Sequence, residues 1–144
     1  MRLEVTEVTW DDEVQLLKKD APLYVILLSC CVYFWTFLHP AVEYGHGRLI
    51  YGFQAFAFIQ HPTWLANPLY WYAVFALALR RPRMSAIFAG IAFFFSLTVS
   101  VHFFYWEETG RLVFRIGYFL WCSSFAIHML GSLLVLWVTP RPSC

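Results

Sequence analysis

The residues with the most chemistry to offer are five histidines, at positions 39, 46, 61, 102 and 128. His39, Glu43 and His46 are spaced i, i+4 and i+7. On a helix that spacing gathers two imidazoles and a carboxylate on one face, a donor set suited to a transition metal. Pro40, Gly45 and Gly47 cut through the same stretch and argue for a turn, where helical spacing has no meaning. The plainer reading is a solvated polar cap, shared with His61, Glu107 and Glu108. Haem is the other chemistry in view, because His39 and His102 close two apolar runs at matching depth and facing helices hold iron with such an imidazole pair. A haem or metal site would draw on His39, His61 and His102, with Glu43 and His46 beside them.

His128 is set differently, well inside a long apolar run and on a helical face with Gly117, Ser124, Gly131 and Ser132. An ionisable group at membrane depth marks either function or a satisfied hydrogen bond. A neutral imidazole bonded to a neighbouring helix accounts for it, and by depth that neighbour is the region of Ala86 and Gly90, a small-xxx-small pair that permits close approach. Arg115 lies one turn beyond Arg111, where it either snorkels to the headgroups or pairs with Glu107 or Glu108. A path for a solute would have to be built from Ser96, Ser100, Ser124, His128 and Ser132, which serve equally as glue between helices.

Several classes of chemistry lack their residues. No Asp or Glu falls inside an apolar run, so proton-coupled transport of the small four-helix multidrug type has no carboxylate to use. There is no CxxC and no evident pairing of nucleophile and base, so an enzyme is not expected. Cys30, Cys31 and Cys122 sit in apolar runs and Cys144 ends the chain; they read as small apolar side chains rather than a disulfide framework. A net charge of +1 with scattered basic residues gives no footprint for nucleic acid.

The elements that must carry these residues follow from composition. The 144-residue chain is 60% hydrophobic, 21% aromatic and 13% charged, against about 25% charged in soluble domains. Its apolar residues cluster in runs instead of alternating, which selects membrane helices over a membrane barrel. The expected fold is all-α: a polytopic membrane protein built as an antiparallel bundle of four transmembrane helices. Residues 1–20 are expected as a cytoplasmic amphipathic segment, with Thr9 capping a short helix over Asp11 to Lys19. Ala21–Leu38 is the first span, opened by Asp20 and Pro22. Residues 48–60 are expected as a helix lying on, or re-entering from, the outer interface. The second span runs 63–79, and either kinks at Pro68 or begins deep in the bilayer. Met84–Trp106, 23 residues without a formal charge, is long enough to cross a hydrocarbon core of roughly 30 Å. The fourth span, 112–138, is long enough to tilt.

Arg80, Arg81 and Arg83 anchor the turn before the third span. With a cytoplasmic N-terminus, seven lysines and arginines (Arg2, Lys18, Lys19, Arg80, Arg81, Arg83, Arg141) fall inside and three (Arg48, Arg111, Arg115) outside. The positive-inside rule therefore puts both termini in the cytoplasm. An aromatic outer half, including Phe53, Phe56, Phe58, Trp64, Tyr70, Trp71 and Tyr72, offers contact area to another protein.

Trp64-Leu65-Ala66-Asn67-Pro68-Leu69, the following apolar run with Arg80-Arg81, and Gly117-Tyr118-Phe119-Leu120-Trp121 resemble small uncharacterised bacterial four-span inner-membrane proteins. The resemblance covers the second and fourth spans and implies a bacterial inner-membrane setting, with no activity or site attached. The expected function is non-catalytic: a membrane or periplasmic protein partner is bound, as by an accessory subunit or an immunity-type protein. Haem or metal binding and a small-solute carrier or pore are the alternatives.

Overall fold

The computed structural model describes residues 10–44, 47–55, 62–105 and 113–139. The chain is mostly helical. Helix α1 (Trp10–Trp35) runs into a 3-10 turn, Thr36–Leu38. Strands β1 (Pro40–Tyr44) and β2 (Arg48–Tyr51) form an antiparallel hairpin through Gly47, whose φ of 76° suits glycine. A single helical turn, α2 (Gly52–Ala55), follows. A 3-10 segment, Pro62–Leu65, leads into α3 (Ala66–Ala78), and after a tight turn come α4 (Pro82–Tyr105), β3 (Val113–Phe114) and α5 (Ile116–Val138). The sheet order is β2-β1-β3.

Helix α5 packs against α1 and α4, and α4 against α3. The register is antiparallel at each of these contacts. Ser85 meets Ser132 near the start of α4 and the end of α5, whereas Ser96 meets Tyr118 at their other ends. Across α1 and α5 a Cβ on Gly131 would lie 2.5 Å from Val25 Cγ1, so the missing side chain is what lets the two backbones close. The small sheet sits at the Trp35 end of α1 and the Ile116 end of α5. It is held there by hydrogen bonds from Arg115 N to Ala41 O (2.9 Å) and from Gly52 N to His39 O (3.2 Å).

The helices wear their apolar residues outward. Leu27, Leu28 and Phe34 on α1, Ile87 and Phe94 on α4, and Leu130 and Leu134 on α5 are all exposed. The core combines alanine, Tyr33, Tyr70, Phe125 and Leu77 with buried serines and His128. Two helices, Lys18–Leu38 and Ile116–Val138, are long and apolar enough to cross a membrane, and only 22% and 33% of those windows are buried. The core helix of a water-soluble protein has the opposite distribution.

The structure corrects several expected boundaries. Residues 10–35 form one helix through Pro22, not a surface helix followed by a separate span. Within 48–60, Arg48–Tyr51 is a strand and only Gly52–Ala55 is helical, because β1 offers that stretch a partner for its backbone; residues 56–60 lie outside the described residues. Pro68 is the third residue of α3, in the first turn where its missing N–H has no partner to lose, so the helix starts at Ala66 without a kink at Pro68 being needed. The last helix begins at Ile116 rather than 112, since Val113–Phe114 pairs with β1. Thr9 lies outside the described residues.

Candidate functional site

The densest polar constellation is buried where α1, α3, α4 and α5 meet. His128 on α5 has hydroxyls on both ring nitrogens: Ser29 Oγ at 2.9 Å from Nδ1 and Ser85 Oγ at 3.0 Å from Nε2. Ser85 also bonds Ser132 Oγ at 2.8 Å. On the other side, Tyr70 Oη donates to Ser29 Oγ at 3.2 Å. All five side chains are fully buried. The chain Tyr70–Ser29–His128–Ser85–Ser132 therefore ties four helices together through neutral groups.

Two proton arrangements satisfy it. In one, each group donates to the next, from Tyr70 through Ser29, Nδ1, Nε2–H and Ser85 to Ser132. In the other, Nδ1–H donates to Ser29, which passes its own proton to Ile26 O at 3.2 Å, while Ser132 donates to Ser85 and Ser85 to Nε2. A neutral imidazole, with one donor and one acceptor, fits either without an unpaired group.

Nearer the sheet, Asn67 Oδ1 accepts from Tyr33 Oη at 2.9 Å and from Trp121 Nε1 at 3.0 Å. Tyr33 stacks on Tyr70 with centroids 4.8 Å apart, linking the two polar groups through an aromatic layer that includes Phe125. Asn67 stands in the first turn of α3, where an amide side chain is free of helix-interior constraints. Trp64 Nε1 is the one buried side-chain donor among the described residues without a partner.

At the sheet end, Arg115 is exposed and donates from Nε to Glu43 Oε2 at 2.7 Å, with its terminal nitrogen on the same oxygen. The pair lines an open cleft of about 450 Å³ with Pro40, Gly47, Leu49 and Ile116.

The expected sites fare unequally against this geometry. His128 is buried as the spacing indicated, with Ser124 and Ser132 also buried, but its α4 partner is Ser85, one residue before Ala86; Gly90 faces Met129 instead. Ser124 and Ser96 hydroxyls donate to their own helices, at Trp121 O and Phe93 O. Arg115 is not within a span: it is the extended residue preceding α5, and its partner is Glu43; Glu107 and Glu108 lie outside the described residues. Glu43, in a strand and engaged by Arg115, shares no helical face with His39. His46 and His61 lie outside the described residues, and of His102 the helical backbone alone is described. His39 rests against the Trp35 ring, 5.9 Å between centroids. Among the described residues no three His, Cys, Asp or Glu converge as metal ligands. Tyr70, counted with the outer aromatics, is internal. Cys122 is buried, Cys30 half-buried and Cys31 exposed.

Sequence reasoning missed Ser29, Ser85, Tyr33, Tyr70 and Asn67. The available signal was depth: Ser29 and Ser85 are the hydroxyls that antiparallel packing brings level with His128.

Compared with protein-family models, curated proteins and solved structures, the chain matches none.

Proposed function

We propose that this chain is a four-span inner-membrane protein with both termini cytoplasmic, and that it works without catalysis by docking a membrane or periplasmic protein on its sheet end. The observation that carries this is the partition of its polar groups. Among the described residues, the interior hydroxyls of Ser29, Ser85, Ser132 and Tyr70 and the His128 imidazole are hydrogen-bonded to one another. The sheet end, by contrast, presents a charged pair in an open cleft with Leu49, Tyr51, Phe53 and Ile116 exposed around it. Mixed apolar and charged relief of this kind is what protein contacts use. Strands β2 and β3 also form the edges of the sheet, and an edge offers backbone groups to an incoming strand.

The test is photocrosslinking in the native membrane from a benzoylphenylalanine placed at Leu49 or Phe53, compared with one at Leu28. The expected result is a discrete protein adduct from the cap positions and lipid adducts alone from Leu28. Lipid adducts alone from all three positions would end the docking reading. A reporter fused after Pro82 is expected on the cytoplasmic side, which tests the topology separately.

A further inference from the structure

The turn between α3 and α4 places its cations where the backbone disfavours them. Arg80 has φ of 58°, the left-handed region that favours glycine. Its N–H bonds Leu77 O and that of Arg81 bonds Ala76 O, both at 2.9 Å, the pattern that ends helices at a glycine. Arg83 lies in the first turn of α4, at the positive end of a helix dipole. Neither position is where folding alone would put a guanidinium. Among the described residues none of the three arginines has an ion-pair partner, and all are exposed.

Exposed Leu79, Met84 and Ile87 stand within a turn of these arginines in the chain, so cationic and apolar side chains adjoin.

We infer that the Arg80–Arg83 turn binds the phosphate headgroup of an anionic glycerophospholipid, with its acyl chains along Leu79, Met84 and Ile87. The inference rests on the membrane reading. The left-handed Arg80 is what distinguishes this site from a general basic rim: a guanidinium stands where the backbone favours glycine, beside exposed apolar side chains that acyl chains can follow. Each cation near an anionic membrane surface contributes about a fivefold gain in affinity.

Full-length protein in nanodiscs of phosphatidylcholine with a minor fraction of phosphatidylglycerol provides the test, read as the lipid retained after mild delipidation. Phosphatidylglycerol should be enriched on the wild type, and Arg80→Gln, Arg81→Gln and Arg83→Gln should each lower the enrichment about fivefold, while Arg80→Lys keeps most of it. Arg80→Gly separates charge from backbone: it should resist unfolding better in pure phosphatidylcholine yet lose enrichment. Equal retention of the two lipids by the wild type, or enrichment surviving the triple glutamine variant, overturns the proposal. Displacement by millimolar glycerol phosphate also overturns it, since the ligand would then be a soluble phosphate. Nanodiscs expose both leaflets, so an inverted reporter topology would defeat the orientation under Proposed function and leave this measurement to decide the lipid site.

Discussion

His128 shows how one side chain can be legible in a sequence while its role is not. Its depth in an apolar run and its alignment with Ser124 and Ser132 identify it as a helix-contact residue. The identity of the contacts depends on the rotation of two other helices, which no period of α1 or α4 discloses, because Ser29 and Ser85 stand in runs that are apolar on every side. With neutral partners on both nitrogens, removing the imidazole takes one partner each from Ser29, which keeps Tyr70 and Ile26 O, and Ser85, which keeps Ser132. Buried polar groups left without partners cost about 1–3 kcal/mol, whereas hydrogen bonds between membrane helices average about 0.6 kcal/mol in double-mutant cycles, with a maximum of about 1.7. A cycle between His128→Leu and Ser85→Ala is therefore expected to give a coupling of about 1 kcal/mol in reversible unfolding from mixed micelles. Coupling indistinguishable from zero would mean that the 3.0 Å contact carries no stability. Asn67→Leu should cost more than Tyr33→Phe, since the first strands both the tyrosine hydroxyl and the Trp121 indole while the second removes a donor and leaves its acceptor with the other.

At the scale of elements, the long apolar runs announced their helices and the turn at Arg80–Arg83, and Pro82–Tyr105 falls within two residues of its expected bounds. The errors gather where backbone pairing across distant segments decides the outcome. Strand β1 recruits both Arg48–Tyr51 and Val113–Phe114, so the helix expected over 48–60 and the first residues of the span expected from 112 yield to a ladder that local propensity does not encode. Close helix contacts are similarly nonlocal. Gly131 could be seen as small, but not that Val25 would fill its place. Gly131→Ala puts a Cβ 2.5 Å from Val25 Cγ1, and valine, stiff at χ1, has little room to turn away. Overpacking of this kind costs about 1–3 kcal/mol. Val25→Ala should restore most of the loss in the double variant, measured by the same unfolding assay; failure of rescue would mean that the helices meet elsewhere.

The described helices expose large apolar side chains along their length, and this was the most legible property of all: charge is scarce, and the apolar runs are too uniform to have a wet face. Leu28 and Leu130 are 57% and 60% exposed near the middle of the two helices long and apolar enough to cross a membrane. In water such positions accept arginine with changes within about 0.5 kcal/mol. In the centre of a bilayer the same residue costs roughly 2.5–3.5 kcal/mol on insertion scales. Leu28→Arg and Leu130→Arg therefore separate the two environments at sites that touch little of the protein itself, so a loss cannot be assigned to broken packing. The expected outcome is a drop of roughly 60- to 300-fold in the ratio of inserted to uninserted helix for each helix tested alone as a span, together with reduced accumulation of the full chain. Insertion unchanged by both substitutions would mean that these surfaces do not meet hydrocarbon. The docking end and the arginine turn would then both lose the membrane that gives them their sides.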